Sequence, residues 1–169
     1  FFINHDIYAD WALDYWLIQE LSDRIKVLEV LNTPAPPFRY VNAFKRWYAE
    51  RLEDKSTETD YIGDRVFSGP IDQRWADAIM ECIGGSAEAS ASWFDRHAKK
   101  LDADDYQPFN RFVDIVRVSC KQVRTIFKYN GAEYPETIPT GSGWEEIARF
   151  MDRHAEDYYM DNLEIVRNF

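Results

Sequence analysis

Cysteine, histidine and basic residues are all scarce in this chain of 169 residues, and each shortage narrows the chemistry open to it. The two cysteines, Cys82 and Cys120, fall in segments that read as buried helix, and their spacing matches no metal-ligand pattern. Free buried thiols behave as small hydrophobes, so no disulfide is expected, and a reducing, cytoplasmic setting goes with that expectation. Only His5, His97 and His154 could serve as imidazole ligands or bases. No apolar run approaches the roughly 20 residues that span a bilayer, and no basic-then-apolar leader is seen, so no membrane association is expected. Twenty basic residues face 30 acidic ones, a net charge of −10, which opposes direct binding to nucleic acid or anionic lipid.

What the chain has in quantity is aromatic surface. Hydrophobic residues make up 46% of it, with six Trp, ten Tyr and eleven Phe, unlike the aromatic-poor composition of disordered chains. Folding at this length buries about 70% of the exposed surface, so residues 1–169 read as one domain with a core of its own. So many rings also predict some left at the surface, where aromatics favour interfaces, oligomeric ones included.

Periodicity then gives the class. From Asp6 to Leu31, Tyr8, Trp11, Tyr15, Ile18, Leu21, Ile25 and Leu28 recur three or four apart, predicting one long helix with those residues on its main apolar face. Leu13, Trp16, Leu17, Val27 and Val30 form a second apolar line, a coating wide enough for a central helix or one that touches a partner. The prolines of 34–37 end it. A second helix is expected from Phe38 to about Lys55, then a loop over 56–69, then a third helix from Pro70 to Ile83. Ser86 caps a fourth, to Leu101, with Ala87, Ala91, Phe94, Ala98 and Leu101 on one side. Asp104 and Gln107 have capping-box spacing ahead of a fifth helix that runs through Phe127 to a stop at Gly131. Residues 130–143 read as a connector, and Ser142 with Glu145 as a second capping box opening a last helix to Phe169. The sum is all-α: a single-domain bundle of about six helices, the N-terminal and C-terminal ones long.

Catalytic motifs do not emerge. The His5-Asp6 dipeptide resembles that of HD-type metal-dependent phosphohydrolases, but the further His and Asp of such a site do not follow in order. His97 has no ligand three or four residues away and His154 has only Asp157, so no metal site and no cofactor are expected. The Asp-Arg-His-Ala segments around both histidines read as exposed helix edges, with the histidine at the boundary of the core. Gly84-Gly85-Ser86 lacks the Lys and spacing of a phosphate loop, and no nucleophile elbow occurs.

Charge carries more information. Arg117, Lys121, Arg124 and Lys128 would form one basic edge of the fifth helix. On the last helix Asp157, Asp161 and Glu164 share a face with Asp152 and Glu156 alongside, next to Tyr158 as an aromatic anchor. These six residues are the expected partner-binding set, since complementary charge speeds and selects association while a desolvated ring holds it. The reading is a non-catalytic acidic interaction module that binds a basic protein, as an inhibitor, an immunity-type protein or a mimic of nucleic acid would. A metal-dependent or carboxylate/His-based enzyme and a structural subunit of a larger assembly are the alternatives.

Overall fold

The computed structural model describes residues 5–54, 58–130 and 132–154, and they are mostly helical. The expected first helix is two. α1 (His5–Glu20) and α2 (Arg24–Leu31) are separated where Asp23 turns extended (φ −142°, ψ 163°) and its carboxylate accepts the Lys26 N–H at 3.0 Å. Asp at such a point satisfies a free N–H of a new helix and so competes with continuation of the old one. The expected faces are only partly those observed. Leu21 of the main line is buried, with Leu17 and Val27 of the second line and Leu31, whereas Tyr8, Trp11, Tyr15, Ile18 and Ile25 of the main line and Trp16 of the second face outward.

α3 (Phe38–Glu53) buries Val41, Phe44, Trp47 and Tyr48 as expected, while Tyr40 lies at the surface against Trp16. The predicted loop holds a short helix, α4 (Asp60–Asp64), and a 3-10 turn over Arg65–Phe67. α5 (Gln73–Gly85) starts three residues after Pro70, because Asp72 is its cap. One Asp72 oxygen accepts from Arg74 N at 3.0 Å and the other from Ala35 N at 2.7 Å, which fastens the proline-rich loop to the helix start.

α5 is the central element. It buries Trp75, Ala76, Ala78, Ile79, Met80, Ile83 and Gly84, and packs on α3, on α6 (Ala87–Leu101), on α7 (Ala103–Ser119) and on α8 (Gly143–Arg153). Ser86 caps α6 as expected, but the buried stripe is Ser90, Trp93, Phe94, His97 and Leu101, one step round from the alanine line. Phe94 is the hub of a ring cluster with Trp93, Phe109, Phe112 and Phe150. Neither expected capping box forms. Asp104, Asp105 and Tyr106 are themselves left-handed (φ 52°, 53° and 59°), and Pro108 opens the regular part of α7; Ser142 makes no cap hydrogen bond to α8.

The fifth predicted helix ends early. α7 stops at Ser119, and β1 (Lys121–Tyr129) pairs antiparallel with β2 (Ala132–Pro139), with a bulge between Thr125 and Phe127. The expectation of no strand is therefore corrected. Val123, Thr125, Ile126, Phe127 and Tyr129 are β-branched or aromatic, and their apolar spacing suits a helix on paper while their propensity suits a strand. The hairpin base is closed on the Cys120 carbonyl, which accepts from Thr140 N and from the Trp144 indole, each at 2.9 Å.

α8 meets α5 backbone to backbone. A Cβ on Gly143 would stand 2.8 Å from the Gly84 carbonyl oxygen and 2.9 Å from Gly84 Cα. Main-chain atoms cannot swing aside, so Gly143→Ala is expected to cost about 1–3 kcal/mol, seen as a lower denaturant midpoint with unchanged slope. A neutral or stabilising result, as an unobstructed Gly-to-Ala change gives, excludes the close approach.

Candidate partner-binding surface

The outward side of α1 is the most unusual surface described. Tyr8 (58% exposed), Trp11 (66%), Tyr15 (70%) and Ile18 (48%) fall at steps of three, four and three. That is the seam of a helix-on-helix contact, and here nothing covers it among the described residues. Tyr8 and Trp11 already meet edge to face, their centroids 6.0 Å apart. Trp16 extends the surface sideways to Tyr40, at 5.6 Å. The α1 sequence holds Asp6, Asp10, Asp14 and Glu20 and no Lys or Arg, and Asp14 reaches across to Arg46 at 2.6 Å. The sequence pattern contained this seam. Its outward direction is hidden there, because the second line, with Leu13 and Leu17, is equally apolar.

The expected partner-binding set is only partly in view. Asp152 is exposed on α8, in a shallow recess with Asp95, Glu146, Arg149 and Arg153. Glu156, Asp157, Tyr158, Asp161 and Glu164 lie outside the described residues. The opposing basic edge does not exist as one helix face. Arg117 ends α7 and pairs with Asp114 at 3.1 Å, while Lys121, Arg124 and Lys128 belong to β1, where Arg124 and Lys128 are in register with Glu136 and Glu133.

His97 lies inside the core boundary expected for it. It is 5% exposed, between the rings of Phe67 and Trp93, and its Nε2 lies 2.8 Å from Asp64 Oδ1. Arg96 reaches the same carboxylate at 3.3 Å and Asp60 at 2.9 Å, so the cluster ties α4 to α6. Nε2 is occupied and Nδ1 is buried without a partner, which leaves no ring nitrogen open to a substrate. His154 sits elsewhere, 3.4 Å from Asp102 and against Tyr106 and Phe150. The two histidines thus have separate carboxylate partners and do not share a site.

Burial pushes the His97 imidazole below the ordinary histidine range, and the Asp64 hydrogen bond offsets this only in part. The unfolded chain then takes up the proton first. No stability is lost above the ordinary value of about 6.5, and stability falls as pH drops below it toward the folded-state value. Thermal melts between neutral and mildly acidic pH should show this fall shrink in His97→Gln. An equal fall in both proteins assigns it to other groups.

A cleft of about 760 Å³ is lined by both cysteines, the Lys45–Glu81 pair and Gly85. The cysteines are free, as expected. Burial pushes the Cys82 thiol up to about 12 and raises that of Cys120, so neither is a thiolate nucleophile at neutral pH. Among the described residues no group of His, Cys, Asp and Glu is arranged to hold a metal, and no helix is long and apolar enough to cross a membrane. The chain matches no protein-family model, and no curated protein is significantly similar to it.

Proposed function

We propose that this protein is a non-catalytic acidic interaction module that holds a basic amphipathic helix of a protein partner along α1. The observation that carries the reading is the exposed seam of Tyr8, Trp11, Tyr15 and Ile18. A contiguous apolar surface of large rings on a folded protein marks a binding site, and helix-in-groove recognition reads anchors at this spacing. Charge selects the occupant. α1 has acids and no bases in a chain of net charge −10, so a helix flanking its apolar anchors with Lys or Arg is favoured. A second copy would set acid against acid, and an anionic lipid surface would be repelled in the same way. An inhibitor or immunity-type role is the narrower form of this reading and holds if the captured helix carries the partner's active site.

The test is calorimetric titration with two helical peptides that share one apolar seam, one flanked by Lys and Arg and the other by Glu. The basic peptide is expected to bind at micromolar strength or better and the acidic one not to bind. Equal binding of both, or of neither, overturns the proposal. Self-association at the same protein concentration replaces it with the structural-subunit reading.

A further inference from the structure

The hairpin offers a second surface, along the outer edge of β1. Among the described residues the sheet has two strands, so each has one edge that faces away from the other. Which backbone groups lie on that edge follows from the hairpin base. The Thr140 N–H donates to the Cys120 carbonyl at 2.9 Å, and the register continues as Lys121 with Pro139, Gln122 with Ile138 and Val123 with Thr137. Hydrogen-bonded and non-bonded pairs alternate along an antiparallel ladder. Cys120 with Thr140, Gln122 with Ile138 and Arg124 with Glu136 are therefore the bonded pairs. Lys121, Val123 and Thr125 turn their N–H and C=O groups outward.

The two outer edges differ. Pro135 and Pro139 hold outward positions on β2, where each removes a donor, so that edge is blunted against a further strand. β1 contains no proline, and its outward positions keep their donors. Lys121, Gln122 and Val123 are all exposed, Val123 at 64%, so neither face of β1 is covered there. Charge selects what pairs with it. β1 carries Lys121, Arg124 and Lys128 and no acid, and the strand it already accepts sets Glu136 opposite Arg124 and Glu133 opposite Lys128. Lys121 stands opposite Pro139, with no acid across from it. An added strand lies at the same spacing as β2, about 4.8 Å, so acids on it meet these three positions from the other side. A second copy of β1 would set cations against cations.

We infer that the outer edge of β1 takes an extended acidic segment of a partner protein, which adds a third strand to the hairpin through the backbone of Lys121, Val123 and Thr125. Backbone pairing supplies the affinity, and acids beside Lys121, Arg124 and Lys128 supply the selectivity. This edge is separate from the outward seam of α1 and does not rest on the reading proposed for it.

The experiment is a titration of the ¹⁵N-labelled full chain with two extended peptides of nine residues, the length of β1. One alternates Val and Thr with Glu, the other with Lys. The amide resonances of Lys121 and Val123 are the readout. The acidic peptide is expected to shift them saturably and to slow their hydrogen exchange, with a dissociation constant of about 100 µM or tighter. The basic peptide is expected to do neither. Val123→Pro removes one outward donor without breaking a bond of the hairpin, and should weaken binding about tenfold or more, read at Lys121. A second control leaves the protein unchanged: the acidic peptide is N-methylated at alternate residues, in each of the two phases. Binding should be lost in at least one phase, since one edge of the peptide must face β1. No shift up to about 1 mM peptide, equal binding of the basic peptide, or full binding of both methylated phases overturns the inference. Slowed exchange that rises with protein concentration in the absence of peptide assigns the edge to a second copy and overturns it as well.

Discussion

Trp11→Ala weakens capture of the basic helical peptide by roughly thirtyfold or more, about 2 kcal/mol, the loss expected of a central aromatic anchor. The folded chain barely registers the change. Trp11 is exposed, so its truncation leaves no cavity, and surface substitutions of this kind stay within about 0.5 kcal/mol. The melting temperature should then move by no more than about 1–2 °C. Tyr15→Ala is expected to act in the same direction. If Trp11→Ala binds like the parent while the parent still prefers the basic peptide, the contact is electrostatic and lies elsewhere on the chain. If affinity and melting temperature fall together, α1 is packed inward and the outward seam is wrong.

Phe94→Ala is expected to be the most damaging single truncation, costing about 3–5 kcal/mol. The ring has no exposed surface and meets four other aromatic rings on α6, α7 and α8, so its removal opens a void that three elements would have to move to fill. Against a total stability of about 5–15 kcal/mol this is a large share, and the melting temperature should drop by roughly 10 °C or more. Phe94→Leu, which keeps most of the volume, should cost less than half as much. Phe38→Ala is the internal control. Phe38 is exposed, so little change is expected, and an equal loss there would place the ring cluster elsewhere.

The course of the helices was legible in the sequence wherever punctuation and period agreed. The prolines before Phe38, the cap at Ser86 and the Gly84-Gly85 stop all act locally, so they read correctly without the fold. Errors arose where two local signals competed. Ser22-Asp23 interrupts an unbroken apolar period, and the cap at Asp23 overrode it. Lys121 to Tyr129 offered a helical spacing and a strand composition together. The Asn130-Gly131 pair that follows is a hairpin turn signal and a helix stop signal alike. The His97–Asp64 pair joins residues 33 apart in sequence, and the Arg111–Asp77 pair residues 34 apart. No periodicity argument reaches across such separations. The α1 seam lies between these cases: its residues were on one face from the start, but only the packing of Leu17 and Leu21 shows which way that face points.

The tryptophans divide by depth, and this gives the protein two built-in optical reporters. Trp47, Trp75 and Trp93 are interior and Trp144 is half-buried, whereas Trp11 and Trp16 are exposed. Indole emission moves to shorter wavelength when the ring leaves water and to longer wavelength when it enters. Docking on α1 would therefore shift the outer pair to the blue, and unfolding would shift the inner three to the red. Capture of a partner and loss of structure thus have opposite spectral signs in the same unlabelled sample, and a peptide without tryptophan could be followed against either one.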